Sequence, residues 1–153
     1  MITARRVVAV LAMLCLAAAL FSQESSPPAS RRGKIVVHIS GFRSDKGHAR
    51  IGLFNRANGF PMDSVKALTG ARVEIHDHQA SVEFSDLPYG TYGVIAHHDE
   101  NDNYKLDVNW FDKPKELYGA SNNPRPRLGP PRWKDSKFEL KSDSVVVEIK
   151  LHK

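Results

Sequence analysis

The stretch from Asp99 to Asp107 carries more oxygen-bearing side chains than any other part of the chain. Carboxylate, amide and carbonyl oxygens at alternate positions can converge inside a tight loop, which is how proteins hold hard cations. We therefore predict a calcium site, with side-chain ligands from aspartate and asparagine residues at this spacing and one backbone carbonyl. Its members are Asp99, Asn101, Asn103, Lys105 (through its carbonyl) and Asp107.

The match to an EF-hand loop is incomplete. Tyr104 stands where glycine normally makes the sharp turn, and Trp110 stands where a bidentate glutamate normally closes the shell. With two certain carboxylates the expected calcium dissociation constant is ~10⁻⁴ to 10⁻³ M, and Asp112 or Glu116 is a candidate further ligand. The alternative is a polar turn whose Asp and Asn side chains bond to their own backbone.

Two histidines directly precede this loop. In a strand, His97 and His98 point to opposite faces, so we expect one of them to pack and hydrogen-bond. A zinc site would combine His98 and Asp99 with a distant histidine, either His76 or His78, and this spacing is not diagnostic.

Catalysis has weaker sequence support. The chain offers Ser121 and paired carboxylates such as Asp99 and Asp107, but it contains no nucleophile elbow and no glycine-rich phosphate loop. We therefore predict no catalytic residue. The alternative is a secreted hydrolase of a glycan or ester that uses the acidic-loop carboxylates and a histidine.

The elements that must position these residues are β-strands, because apolar residues alternate with period two along most of the chain. A turn at 86–90 and a single helical turn within 63–68 separate some of them. We predict hairpins that join the first strand to the second and the third to the fourth. The predicted strands are 34–40, 49–55, 72–76, 81–85, 91–98, 137–140 and 145–151.

Seven short strands without a long helix predict an all-β fold, a single antiparallel β-sandwich of immunoglobulin-like or transthyretin-like type. An open barrel is the main alternative. Residues 108–131, with five prolines and little periodicity, predict a long irregular loop of a kind that is usually functional.

The N-terminus predicts export. Arg5 and Arg6 precede an uncharged apolar run, Val7 to Phe21, which is about 15 residues long and shorter than the ~20 needed to cross a bilayer. We predict a signal peptide at 1–22, a flexible linker at 23–33 and the β-sandwich domain at 34–151, with no transmembrane span after signal removal. The mature protein would be periplasmic, associated with the outer envelope, or secreted. Cys15 would leave with the signal, which excludes disulfides and thiolate chemistry.

The charge balance does not indicate a nucleic-acid partner. The formal net charge is +5, and it falls when Arg5 and Arg6 leave with the signal peptide. One basic cluster surrounds Trp133 and could dock an acidic polymer or lipid head groups, the alternative being a solvated strand face. It consists of Arg125, Arg127, Arg132, Lys134, Lys137 and Lys141.

Several motifs in fixed order carry a family likeness. They are Ile51-Gly52-Leu53-Phe54, Gly59-Phe60-Pro61, Leu87-Pro88-Tyr89-Gly90-Thr91-Tyr92, His98-Asp99-Glu100-Asn101, Tyr118-Gly119-Ala120-Ser121-Asn122-Asn123 and Gly129-Pro130-Pro131. Over 34–151 the chain resembles family 2141 of the bacterial domains of unknown function. The resemblance implies a small secreted or envelope-associated bacterial β-sandwich and brings no established activity. The chain departs from the family pattern at Tyr104 and Asp112.

Together these observations predict an extracytoplasmic binding or structural module in which the Asp99–Asp107 loop orders the long irregular loop, with calcium as the candidate ion and no other cofactor. The expected partner is a protein, a glycan or another envelope component. A carrier of small apolar ligands between the sheets is a third interpretation.

Overall fold

The computed structural model describes residues 31–107, 109–110 and 115–153. The predicted signal peptide (1–22) and most of the predicted linker (23–30) lie outside the described residues, as does Asp112. The strands are β1 (Arg32–Ser40), β2 (His48–Phe54), β3 (Thr69–Val73), β4 (Gln79–Pro88), β5 (Gly90–Asp99), β6 (Tyr118–Ala120), β7 (Phe138–Leu140) and β8 (Ser144–Lys150). A 3₁₀ turn at Ser64–Lys66 confirms the predicted helical turn, and a short helix, α1, spans Trp133–Ser136.

The strands form two sheets. Sheet A has the order β4-β1-β8. Sheet B has the order β3-β2-β5-β6, and β7 pairs with the first residues of β5. Every strand pair is antiparallel except β1 with β8, which is parallel. The two sheets pack face to face without closing into a barrel, which confirms the all-β sandwich.

The core lies between the sheets and follows the predicted alternation. In β1 the buried side chains are Ile35, Val37 and Ile39, and in β8 they include Val147 and Ile149. The neighbouring positions of each strand face outward, because successive side chains of a strand point to opposite faces. Each such buried aliphatic side chain contributes about 1.5–3 kcal/mol relative to an exposed one.

The two predicted hairpins are wrong. β1 pairs with β4 and β8, whereas β2 pairs with β3 and β5, so the connection between β1 and β2 crosses from one sheet to the other. Gly41 at φ +86° turns the chain, and Phe42 enters the core with 4% of its surface exposed. Burying Phe42 draws the connection across the core instead of back along the same sheet.

The second connection also crosses between sheets, although its turn is where the sequence predicts it. Asp77 and His78 both have positive φ, and His76 and Gln79 exchange backbone hydrogen bonds across them. The strand before this turn is β3, which pairs with β2, and the strand after it is β4, which pairs with β1.

The irregular loop predicted at 108–131 contains one element that the sequence did not predict. β6 has only three residues, too few for a period-two pattern, and it is held by β5 on one side and by His152 on the other. Beyond it, the side-chain amide of Asn123 donates to the Glu148 carbonyl (2.9 Å) and accepts from the Lys150 N–H (2.7 Å). This amide therefore takes the place of a neighbouring strand along part of the edge of β8.

The outer face of sheet B carries a second, smaller apolar cluster. Phe60 packs edge-on against Phe54 (ring centroids 5.3 Å apart) and against Trp133 (5.5 Å). Trp133 lies directly on β5, where a Cβ added to Gly93 would stand 2.8 Å from its ring. This cluster fixes α1 to the sheet. Within the part of the chain that is described, no helix is long and apolar enough to cross a membrane.

Candidate functional site

The candidate site is the loop that follows β5, and Asp99 is its anchor. Asp99 is fully buried, and its two carboxylate oxygens accept the backbone N–H groups of Asn103 (3.1 Å) and Tyr104 (3.0 Å). Gly47 makes room for this strand end, because a Cβ at Gly47 would lie 2.1 Å from the Asp99 carbonyl oxygen. One buried carboxylate therefore fixes the path of the loop.

The other predicted ligands meet inside the same loop. The side-chain oxygen of Asn101 accepts from the Asn103 N–H (3.2 Å), and that of Asn103 accepts from the Lys105 N–H (2.9 Å). Both side-chain amides donate to Asp107, Asn101 at 2.9 Å and Asn103 at 2.8 Å. Asn101 and Asn103 thus contact Asp107 through their side chains, whereas Asp99 contacts the loop backbone, and all four residues are hydrogen-bonded within the loop.

Glu116, which lies within the segment 108–131, bonds to both ends of the acidic loop. Its side chain is 5% exposed, and its two oxygens accept the N–H groups of Glu100 and Asp107, both at 3.1 Å. Burial raises the pKa of Glu116 above its ordinary value, and the charges of Asp107 and Asp99 act in the same direction, while the two backbone hydrogen bonds act against them. The Lys115 N–H also donates to the Asp107 carbonyl (2.7 Å). The acidic loop is therefore bonded to Lys115 and Glu116, which lie in the first half of the segment 108–131.

Tyr104 makes the turn that a glycine would usually make. Its φ is +68°, in the left-handed region, and 63% of the residue is exposed. One face of its ring is covered by the guanidinium of Arg50, whose carbon lies 4.2 Å from the ring centroid. The Nε of Arg50 is also 3.9 Å from a carboxylate oxygen of Asp99. Arg50 therefore links the exposed ring to the buried anchor.

Asp102 ties the loop to the outer face of sheet B. One of its oxygens lies 2.6 Å from Nδ1 of His48 and 3.3 Å from Nη2 of Arg72. Desolvation raises the pKa of Asp102, but the hydrogen bonds and charges of His48 and Arg72 together lower it by a larger amount, so the net shift of the pKa is downward. The sequence alone does not single out His48, Arg50 and Arg72 as residues of this site. These residues alternate with the core-facing positions of β2 and β3, so they lie on the outer face. Their proximity to the loop becomes clear only from the register between the strands.

The two histidines behave as the alternation predicts. His98 is fully buried, packs edge-on against Phe42 and lies 2.7 Å from the Lys46 carbonyl through Nε2. His97 points to the opposite face, beside Arg50 in the next strand. Burial lowers the pKa of His97 to about 4, although the charge of Asp99 acts in the other direction.

In the described part of the chain, no cluster of three or more His, Cys, Asp or Glu side chains could hold a metal ion. The zinc interpretation with His98, Asp99 and His76 or His78 therefore has no geometric support there. Any calcium site in the loop would depend on amide and carbonyl oxygens beside the carboxylates of Asp99 and Asp107.

The family model for an uncharacterized protein conserved in bacteria, DUF2141, matches residues 37–148. The chain belongs to the DUF2141 family. This match confirms the family resemblance seen in the sequence motifs. No curated protein and no solved structure matches the chain.

The segment from Tyr118 to Asn123, which lies within the range matched by the DUF2141 model, supports the fold around β5. Ser121 is fully buried, accepts the Val94 N–H through Oγ (2.9 Å) and donates to the Ser136 carbonyl (2.5 Å). Its hydroxyl is thus committed to two backbone groups. In this DUF2141 member Ser121 joins β5 to α1 and is not presented to a substrate.

Proposed function

We propose that this protein is an extracytoplasmic recognition module that binds a carbohydrate on the acidic loop, with Tyr104 as the contact residue. The observation that carries the proposal is the exposed Tyr104 ring, held by a left-handed backbone and by the guanidinium of Arg50. The exported location is supported by the apolar segment from Val7 to Phe21 and its flanking charges.

The backbone of Tyr104 argues for a role beyond folding. A non-glycine residue in the left-handed region costs roughly 1–2 kcal/mol, and such positions cluster at binding sites. The stacking of the ring on Arg50 offsets about 0.5–1 kcal/mol of this conformational cost, the free energy of a cation–π contact at an exposed site. Glycine would fit the turn without that cost, so the presence of a large aromatic side chain supports selection for its exposed ring face.

The surroundings of the ring favour a sugar over an apolar ligand. Asn101 and Asn103 are exposed beside it, and their side chains retain lone pairs that hydroxyl groups can use. A sugar ring has an apolar face of C–H groups and a rim of hydroxyls, which suits an aromatic surface with polar neighbours. A hydrolase finds less support, because Asp99 and His98 are fully buried and the oxygens of Asp99 are bonded to backbone.

The test uses the variant Tyr104→Gly. Glycine relieves the left-handed backbone and loses the stacking on Arg50, so the free energy of unfolding should change by less than about 1 kcal/mol. Retention of the wild-type protein on insoluble cellulose, chitin and cross-linked dextran should be found for at least one polymer and lost in Tyr104→Gly. Leu128→Gly, another exposed residue, is the matched control. Carbohydrate binding at Tyr104 would be refuted if neither the wild type nor Tyr104→Gly were retained, or if both were retained equally.

We also propose that calcium binds the loop at Asp99, Asn101, Asn103, Lys105 and Asp107, with millimolar affinity. The support is the alternate spacing of the oxygen-bearing residues and the proximity of Asn101 and Asn103 to the Asp107 carboxylate, which both amides contact through their NH₂ groups. The affinity would be weak, because binding must displace hydrogen bonds that the loop already makes.

The calcium test is a thermal shift. With a dissociation constant near ~0.5 mM, 5 mM calcium should stabilise the domain by about 1.4 kcal/mol. The rise in melting temperature should vanish in Asp107→Asn and persist in Asp102→Asn, which removes the same charge from the same loop. Magnesium at equal concentration serves as the ionic-strength control. An unchanged melting temperature in the wild type, or an equal rise in Asp107→Asn, would count against the calcium site.

A further inference from the structure

A recess of about 390 Å³ lies beside α1, the helix that carries Trp133 of the outer apolar cluster. It is lined by Pro124, Arg125, Pro126, Arg132 and Asp135. Its volume is in the range of small-molecule sites. Four further cations follow or flank it in the chain, so that the whole basic surface comprises Arg125, Arg127, Arg132, Lys134, Lys137 and Lys141.

The charges of this basic surface are not neutralised by ion pairs within the described residues. The Lys and Arg side chains that form ion pairs there all belong to the first half of the chain; they are Arg32, Lys34, Arg43, Arg50, Lys66 and Arg72. None of the ion pairs involves a Lys or Arg of 115–153. Positive charge is therefore available to an external anion.

The segment that carries this surface is fixed to the sandwich. Trp133 packs on Gly93 of β5 and on Phe60. The Ser136 carbonyl accepts from buried Ser121, and the Asn122 side chain donates to the Lys137 carbonyl (2.9 Å). Arg132 and Asp135 thus stand on a backbone that is held in place, which lowers the ordering cost of binding.

We propose that the recess binds an acidic sugar unit of an anionic polysaccharide. The guanidinium groups of Arg125 and Arg132 receive the sugar carboxylate, since arginine matches the planar geometry of that group. Asp135, inside the same recess, accepts hydrogen bonds from sugar hydroxyls. The remaining cations of the basic surface contact the carboxylates of adjoining units along the polymer.

Asp135 is what favours a sugar carboxylate over a phosphate. A carboxylate in the recess repels a phosphate monoester, which carries up to two negative charges, more strongly than it repels a second carboxylate. It also gives the recess an acceptor, which a hydroxylated ligand can use and a bare anion cannot. A phosphatidic acid head group, which has no hydroxyl, would leave this acceptor within the recess unused.

The recess is separate from the proposed carbohydrate site at Tyr104. Trp133 contacts β5 at Gly93, six residues before Asp99, which corresponds to about 20 Å along a strand. Tyr104→Gly should therefore bind acidic polysaccharide as the wild type does. This separates failure of the present proposal from failure of the proposed function.

The experiment measures binding of galacturonate oligomers by calorimetry to the mature protein carrying Tyr104→Gly, which removes the other proposed carbohydrate site, with neutral dextran oligomers as the ligand control. We expect the double variant Arg125→Ala/Arg132→Ala to bind at least 10-fold more weakly. Arg56→Ala, an exposed arginine of another loop, should stay within 2-fold of this parent protein. An equal loss in Arg56→Ala, or no loss in the double variant, would overturn the assignment of the recess.

The decisive variant is Asp135→Asn. It makes the basic surface more positive, so attraction by charge alone predicts tighter binding, whereas acceptance of sugar hydroxyls by Asp135 predicts binding at least 3-fold weaker. We expect weaker binding. Tighter binding by Asp135→Asn, or stronger association with vesicles of acidic phospholipid than with galacturonate oligomers, would refute the acidic-sugar site.

Discussion

The buried anchor of the acidic loop yields the sharpest test of the structure. In Asp99→Asn, one of the two N–H groups now bonded to the carboxylate, from Asn103 or Tyr104, faces an amide NH₂ group and loses its acceptor. A donor left unsatisfied in a buried site costs about 1–3 kcal/mol. Arg50 also loses the negative charge that lies 3.9 Å from its Nε.

We therefore expect Asp99→Asn to lower the free energy of unfolding by about 2 kcal/mol and the melting temperature by about 6–10 °C. Urea titration followed by tryptophan fluorescence measures the first quantity, with an unchanged dependence on urea concentration. Hydrogen exchange should accelerate at the amides of Asn103 and Tyr104, which locates the defect in the loop.

Asp102→Asn is the matched control for this experiment. Asp102 lies in the same loop and has two partners, His48 and Arg72, but its side chain is 40% exposed. Its loss should destabilise the protein less than the loss of Asp99, because exposed ion pairs contribute little. If Asp99→Asn were no more destabilising than Asp102→Asn, the buried carboxylate of Asp99 would not be the group that holds the loop in its conformation.

Two further predictions follow from β5. Because the pKa of His97 is about 4 in the folded protein and about 6.5 in an unfolded chain, only the unfolded state gains this proton as the pH falls from 6.5 toward 4. The stability contributed by neutral His97 should be fully present above pH 6.5 and decline below it. In calcium-free buffer, His97→Gln should reduce the loss of unfolding free energy between pH 7 and pH 4 by up to about 3 kcal/mol. Identical urea-unfolding profiles for the two proteins would contradict this. Gly93→Ala should cost about 1–3 kcal/mol, since its Cβ would stand 2.8 Å from the Trp133 ring. Gly90→Ala, where the nearest atom is 3.9 Å away, is the control, and equal melting temperatures for the two variants would contradict the packing.

Local patterns were enough to predict most strands and the burial within them. The alternation around Ile35 and Ile149 depends only on the period of a strand, so it can be read without knowledge of partners. Pairing is a different matter, because the turn-rich segment after β1 would serve a hairpin or a crossing between sheets equally well. Only the burial of Phe42 decides between them, and that depends on space in the assembled core.

The candidate site shows the same division. The spacing predicts a group of oxygen-bearing side chains from Asp99 to Asp107. In the structure Asn101 and Asn103 contact Asp107, whereas Asp99 bonds to backbone N–H groups of the loop. The direction of the amides of Asn101 and Asn103 could not be predicted, because it depends on which neighbours already use their oxygens. Arg50 became recognisable only through the register that sets it opposite His97.

The amide of Asn123 has a consequence for the behaviour of the protein in concentrated solution. An exposed strand edge offers free N–H and C=O groups to another chain, and β8 carries the apolar sequence Val145-Val146-Val147. By bonding to Glu148 and Lys150, Asn123 removes two of those groups from reach. A single side chain thus protects part of the terminal strand against intermolecular β-pairing, and its loss would favour self-association before it affected any binding surface.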